Sequence, residues 1–304
     1  MSKRMKQALL LALKVTVSGF LLALVFRKAG LREVLDQFSS MDLRLFALAS
    51  LLYVVAIFAS AMRWQQLLEG RHQLGRVFSL YMIGSFFNNF LPGAVGGDAV
   101  KAYYLYKDTG KGGSSIGSVF MDRYIGFFGL LSVGLVSGLI AFSELKTIGM
   151  QWMVPSLFIG FLAGSVVFFR LRIGRRFSAV SDFYDYFHRV IRDKPAVLKA
   201  YLLSLVIQVL TASMVACVGL GIGQRLSFTE LFVIVPIIII ITMVPLSNSG
   251  LGVRESAFVV LFGLTGVSPH AATSISFIWF LSIAAASLIG LVEYLRYRRQ
   301  PPAA

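Results

Sequence analysis

Six ionisable side chains lie in or beside the long apolar stretches of this 304-residue chain. They are Asp98, Lys101, Asp122, Arg123, Arg254 and Glu255. Because an ionisable group is costly to keep inside a membrane, such residues are candidates for function by default. We expect the three cations in the first turns of helices, where backbone N–H groups and the helix dipole also attract negative charge. This pattern predicts a site for an anion such as a lipid phosphate.

Neutral hydrogen-bonding groups flank the same positions. Asn88 and Asn89 precede Asp98, and a Ser-Asn-Ser segment at residues 247–249 precedes Arg254. We therefore predict that Asn88 and Asn89 bind the substrate together with the six ionisable residues. A structural alternative stays open, in which Asp98 caps its own helix and pairs with Lys101. Glu255 would then pair with a basic neighbour, and Asp122 would lie at the membrane interface.

Two helix-breaking segments lie beside these residues, after the short apolar segments at 77–91 and 231–244. The breaking residues are Pro92, Gly96, Gly97, Pro245, Gly250 and Gly252. Pro lacks an N–H group and Gly is a poor helix former, so each helix should break there. Lipid cannot satisfy the exposed backbone groups, which must therefore face protein or a water-filled cavity. This predicts a re-entrant hairpin at each break, with a kinked ordinary span as the alternative.

The composition places these features in a membrane protein. Hydrophobic residues make up 57% of the chain, charged residues 14%, and the mean hydropathy is +0.78. A soluble domain carries roughly 25% charged residues, so this chain has too little polar surface to face water on all sides. Runs without Asp, Glu, Lys or Arg cover residues 45–62, 124–143, 147–169, 200–224, 231–253 and 256–292. With residues 8–26, which hold only Lys14, these runs predict an all-α polytopic protein of the inner (cell) membrane.

The net charge of +15 raises the question of nucleic-acid binding. The positive-inside rule and contact with anionic lipid account for it better, so no nucleic-acid partner is predicted. Cys217 is the single cysteine and the three histidines are far apart, so we predict no metal site and no cofactor. Lys14 interrupts the first apolar stretch and no small-residue cleavage site follows it, which favours a retained first helix over a signal peptide.

The two halves of the chain share a layout. A shift of 153 residues places Pro92 on Pro245 and sends the apolar segments of residues 1–146 close to those of residues 147–304. We predict one transmembrane domain of two repeats, each with three crossings and one hairpin. An odd number of crossings makes the repeats inverted. Lys and Arg then concentrate in the cytoplasmic segments, including residues 63–76 and 170–199, with both termini cytoplasmic.

Three segments carry a family resemblance: Asn88–Tyr106 (NNFLPGAVGGDAVKAYYLY), Met121–Leu130 (MDRYIGFFGL) and Val244–Gly263 (VPLSNSGLGVRESAFVVLFG). They resemble signature stretches of the lysylphosphatidylglycerol synthase transmembrane, or flippase-like, family. The resemblance implies a membrane protein that handles anionic or polyprenyl-phosphate lipids. Lys101 departs from it, since relatives often have Arg there. No soluble domain follows to Ala304, so the tRNA-dependent aminoacyl transferase of the full synthases is not expected here.

By motif match, the residues carried over from the family are Asn89, Pro92, Gly96, Gly97, Asp98, Asp122, Arg123, Gly250, Gly252, Arg254 and Glu255. The first hypothesis is a flippase-like transporter that moves an anionic lipid between leaflets and has no catalytic residue. The second is a membrane transferase acting on a lipid phosphate, with Asp98 or Glu255 as general base. The third is a non-transporting partner of a lipid-modifying enzyme.

Overall fold

The described part of the computed structural model comprises residues 16, 19–70, 72–90, 96–171, 178–243 and 250–299. Within these ranges the chain forms helices joined by short turns, and no strand occurs. The expectation of an all-α polytopic membrane protein is confirmed. The helices are α1 (residues 19–29), α2 (Leu31–Ser39), α3 (Leu43–Leu67), α4 (Leu74–Phe90), α5 (Gly96–Thr109), α6 (Gly112–Ile140), α7 (Phe142–Thr147), α8 (Met153–Leu171), α9 (Ser178–Arg192), α10 (Lys194–Gly221), α11 (Val235–Met243, preceded by the π-helical turn Glu230–Ile234), α12 (Val253–Gly263) and α13 (Pro269–Arg299).

Five helices are long and apolar enough to cross a membrane: α3, α6, α8, α10 and α13. They coincide with five of the six predicted crossings. The remaining one, at residues 8–26, lies largely outside the described residues. A span needs about 20 apolar residues, which separates these five helices from the shorter α4, α5, α11 and α12.

Helices α4 and α5 form an antiparallel hairpin. Near the break, Asn88 Oδ1 accepts a hydrogen bond of 2.8 Å from the Gly97 backbone N–H. At the open end, the Arg76 guanidinium donates two hydrogen bonds, of 2.9 and 3.0 Å, to the Asp108 carboxylate. The chain therefore reverses between α4 and α5, as the sequence predicts. Pro92, the predicted breaking residue, lies outside the described residues.

Glycine allows the two helices of this hairpin to touch. A Cβ atom on Gly97 would lie 1.8 Å from the Gly84 carbonyl oxygen, and one on Gly84 would lie 2.5 Å from Lys101 Cγ. Gly96 and Gly97 open α5 rather than precede it. Close backbone contact, more than helix breaking, is what requires glycine at position 97.

The short helices α11 and α12 form a second hairpin. Thr265 Oγ1 donates a 2.7 Å hydrogen bond to Glu230 Oε1 at its open end, and Thr242 packs against Gly250 near its turn. Gly250 and Gly252 have φ angles of 77° and 83°, which side chains other than glycine rarely adopt. Both lie directly before α12, and their role in the break stays a prediction. Pro245 lies outside the described residues.

The hairpins open at opposite ends of the helix bundle. Helix α13 begins at Pro269, just after the open end of the second hairpin. Glu293, near the other end of α13, accepts a 2.7 Å hydrogen bond from Ser79 at the open end of the first hairpin. Residues 269 and 293 of one helix are about 36 Å apart, which is comparable to the thickness of the hydrocarbon core. The two openings therefore lie at different ends of the bundle, and the inverted repeat topology stays a prediction.

The amphipathic helix α9 packs against the bundle end at which the first hairpin opens. Its Tyr186 is buried and donates a hydrogen bond to the Leu67 carbonyl, and its Arg189 pairs with Glu69 at 2.8 Å. Burial raises the pKa of Glu69, but hydrogen bonds from Arg189 and Ser114 outweigh it and hold the pKa below its usual value. Glu69 is therefore ionised at neutral pH and helps to fix α9 to the end of α3.

The opposite openings of the hairpins can be tested by thiol labelling. In a Cys217→Ala background, Lys107→Cys marks the open end of the first hairpin and Arg225→Cys marks that of the second; both positions are exposed. A membrane-impermeant thiol reagent should label them from opposite sides of the membrane. Ser143→Cys, in α7, is the control and should label with Arg225→Cys. Labelling of Lys107→Cys and Arg225→Cys from one side would contradict the arrangement.

Gly97→Ala tests the close contact within the first hairpin. The added methyl group must push α4 and α5 apart, since it meets backbone rather than a flexible side chain. We expect the free energy of unfolding to fall by about 1–3 kcal/mol, with a lower midpoint of thermal unfolding in detergent. Gly160→Ala in α8 is the matched control, because no described atom lies within 4 Å of its new Cβ. A Gly97→Ala protein as stable as Gly160→Ala would refute the contact.

Candidate anion-binding site

Asp122 is the centre of a buried charge cluster. It is fully buried in α6, and its Oδ1 accepts a 2.8 Å hydrogen bond from Arg63 Nε. Its Oδ2 accepts a 2.9 Å hydrogen bond from the Tyr81 hydroxyl and lies 3.6 Å from Lys101 Nζ. One carboxylate therefore joins α3, α4, α5 and α6. Asp122 is therefore enclosed by the helix bundle.

A second carboxylate extends the cluster. Lys101 Nζ, which is buried, lies 3.3 Å from Asp98 Oδ1, and Arg123 Nε donates a 2.7 Å hydrogen bond to Asp98 Oδ2. Lys101 also lies over the Tyr81 ring, 3.9 Å from its centroid. Lys101 thus bridges the two carboxylates. The charges alternate along the cluster in the order Arg63, Asp122, Lys101, Asp98, Arg123.

Helix geometry explains how these side chains meet. Asp98 and Lys101 are three residues apart in α5 and so share one face of it. Asp122 and Arg123 are neighbours in α6 and point in different directions, one into the bundle and the other toward Asp98. Gly126 leaves room for Arg63, because a Cβ there would lie 2.7 Å from Arg63 Nη1.

A cavity of about 260 Å³ adjoins the cluster. Its wall includes the cations Arg63, Lys101 and Arg123, and no carboxylate belongs to the wall among the residues the structure describes. Asp98 and Asp122 lie behind the cations. The side chain of Arg123 is 45% exposed, whereas those of the other two cations are buried. The surface that the cavity offers to a ligand is therefore cationic.

Neutral polar groups complete the cavity wall. They come from both halves of the chain: Tyr53, Ser60, Tyr81, Ser85, Asn88, Gln208 and Thr211. Asn88 lines the cavity while holding the hairpin turn through Gly97. Asn89, the next residue, is half-buried and is not part of the described wall. Apolar side chains, among them Ile207 of α10 and Ile239 of α11, line the remainder.

Arg254 and Glu255 form a second, separate ion pair. Arg254 Nε donates hydrogen bonds of 3.0 Å to both Glu255 Oε1 and Ser276 Oγ, and Glu255 Oε2 accepts one from Gly252. Both charged side chains are buried, and neither belongs to the described wall of the cavity. The structure therefore does not join Arg254 to Lys101 and Arg123, although the sequence groups them. Glu255 has the basic partner that the structural alternative gives it.

Sequence reasoning missed Arg63, Tyr81 and Ser204, whose hydroxyl accepts a 3.2 Å hydrogen bond from Arg63. Arg63 follows the uncharged run 45–62 directly, so the sequence predicts that it lies in the cytoplasmic segment 63–76, but α3 continues to Leu67. The expectation that a helix begins near Arg123 is also wrong, because α6 begins at Gly112. In both cases the helix extends beyond the uncharged run and includes the charged residue beside it. Among the described residues, no group of three metal-ligating side chains occurs.

Comparison with known proteins gives the same family as the motifs. The family described as "Lysylphosphatidylglycerol synthase TM region" matches residues 11–290. A UPF0104 membrane protein of Pyrococcus horikoshii is 23% identical over 97% of this chain and 98% of its own. Two UPF0104 membrane proteins of Methanothermobacter thermautotrophicus are 24% identical over 90% of this chain and 89% of their own, and 22% over 85% and 86%. The chain is a member of the lysylphosphatidylglycerol synthase TM region family.

Proposed function

We propose that this membrane protein is a flippase-like lipid transporter. It moves an anionic phospholipid or a polyprenyl-phosphate-linked lipid between the leaflets of the membrane. The observation that supports this most strongly is the cavity wall, to which Arg63, Lys101 and Arg123 contribute positive charge while their carboxylate partners lie behind them. A phosphate in this cavity would accept charge-assisted hydrogen bonds away from bulk water.

The form of the cavity suits a lipid better than a free ion. Its wall combines the cations with apolar side chains, which include Phe127, Ile207 and Met243. A headgroup can contact the polar part of the wall while the start of a hydrocarbon chain packs on the apolar part. Arg123 has the most exposed of the three cationic side chains, so it is the first to meet an entering phosphate.

The surrounding helices favour transport. Helices α3 to α6 of the first half and α10 and α11 of the second all contribute to the cavity wall. The hairpins that hold α5 and α11 open at opposite ends of the bundle, so a small movement of one half against the other could change the side from which the cavity is reached. Both termini would lie in the cytoplasm of a cell with this protein in its inner membrane.

The paired state of the carboxylates disfavours the transferase hypothesis. A general base needs a carboxylate that is free to take a proton from the substrate. Asp98 is bound to Arg123 and Lys101, and Glu255 is bound to Arg254 and the Gly252 N–H. The proposal is therefore a non-enzymatic transporter without a cofactor or a nucleic-acid partner. A non-transporting partner of a lipid-modifying enzyme would bind the lipid but would not move it.

Reconstitution in liposomes with a labelled anionic lipid tests the function. Arg123→Gln should weaken binding of the lipid by roughly 10- to 30-fold, because a charge-assisted hydrogen bond is worth about 1.5–3 kcal/mol and the half-exposed Arg123 lies at the low end of that range. The transport rate at a limiting lipid concentration should fall with it. Arg76→Gln is the matched control, since Arg76 also pairs with an aspartate of α5 but at the exposed end. It should change binding by about fivefold or less.

Two results would contradict the proposal. If the folded wild-type protein bound anionic lipid no better than zwitterionic lipid, the cavity would not be a phosphate site. If it bound anionic lipid but left transbilayer movement at the rate of protein-free liposomes, the protein would be a binding partner and not a transporter.

A further inference from the structure

The charge cluster carries one more positive than negative charge. Arg63, Lys101 and Arg123 contribute three positive charges, and Asp98 and Asp122 contribute two negative charges. The hairpin segments at residues 91–95 and 244–249 contain no Asp, Glu, Lys or Arg, so their placement does not alter this balance. The cluster has a net charge of +1.

We infer that the cavity selects lipids whose headgroup carries a single net negative charge. This inference rests on the proposed function and narrows its substrate to phosphodiesters. Phosphomonoester and diphosphate lipids carry more negative charge, and aminoacylated headgroups carry a compensating positive charge. Both groups are disfavoured, although the aminoacylated lipid gives the family its name.

The physical reason is the different dependence of two energies on the charge of the ligand. Attraction to a site of fixed charge grows in proportion to the ligand's charge, whereas the cost of removing the ligand from water grows with the square of that charge. A monoanion neutralises the cluster. A dianion leaves one negative charge uncompensated beside Lys101 and Asp122, which are both buried. A headgroup with a net positive charge is repelled by the cationic wall.

Asp98 makes the selectivity adjustable, because it contributes charge to the cluster without belonging to the described cavity wall. Asp98→Asn removes one negative charge and raises the net charge of the cluster to +2, while the amide still accepts a hydrogen bond from Arg123. This variant should shift the preference from a monoanionic toward a dianionic headgroup. Asp108→Asn, at the exposed open end of the same hairpin, is the matched control and should leave the preference unchanged.

The test is lipid binding to the full chain in detergent at pH 7, measured by native mass spectrometry with lipids of identical acyl chains. The probes are phosphatidylglycerol, phosphatidic acid, lysylphosphatidylglycerol and phosphatidylcholine. A phosphomonoester has a charge of about −1.5 to −2 at this pH, so phosphatidic acid serves as the dianion. We expect phosphatidylglycerol to bind about tenfold more tightly than each of the others.

The results separate the two proposals. If phosphatidic acid binds wild-type protein more tightly than phosphatidylglycerol, or lysylphosphatidylglycerol binds as tightly as phosphatidylglycerol, the charge selectivity is overturned while the anionic-lipid site survives. If neither phosphatidylglycerol, phosphatidic acid nor lysylphosphatidylglycerol binds better than phosphatidylcholine, the proposed function fails as well. The inference would also be overturned if the Asp98→Asn protein kept the wild-type lipid preference while a thermal unfolding measurement showed that it is folded. The comparison of the four lipids on the wild-type protein tests the inference even if the variant does not fold.

Discussion

The structure depends on the contacts that one fully buried carboxylate, that of Asp122, makes with neighbouring helices. The carboxylate is held by Arg63, Tyr81 and Lys101, so a single ionised group fixes three other helices against α6. Removing one partner of a buried ion pair costs about 3–5 kcal/mol, because the remaining charge is left uncompensated. A cluster of this kind is a costly way to hold helices together. The cluster lies behind the cavity of the proposed anion site, and binding of an anion there would account for that cost.

The broken helices follow from the same constraint. The proposed phosphate site would need polar side chains inside the bundle, which a continuous apolar span does not offer. The hairpin of α4 and α5 supplies them, because its contact at Gly84 and Gly97 brings Lys101 against α4. The second hairpin contributes Ile239 and Met243 to the cavity wall but keeps Arg254 bound to Glu255 and Ser276. The two hairpins therefore have a similar form and different electrostatic states.

The sequence predicts the helical architecture, five of the spans and both chain reversals. These features depend on residues close together in the chain, namely uncharged runs and the Pro and Gly residues between them. The association of Asp98 with Lys101 follows from their spacing on one helix. Arg63 and Tyr81 could not be found in this way, since their partners are distant in sequence and only packing brings them together. The separation of Arg254 from Lys101 is likewise a matter of packing. Both cations follow a helix break in the sequence, and equivalent positions in the sequence do not make two residues neighbours.

The central claim is that Arg63, Lys101 and Arg123 present their charge to a lipid phosphate in the cavity. An experimental structure of the protein purified with bound phospholipid tests this most directly. We predict density for a phosphate within hydrogen-bonding distance of Arg123 and at least one of the other two cations, with its hydrocarbon chains along the apolar wall. Headgroup density confined to the outer surface, with the cavity occupied by water alone, would contradict the account.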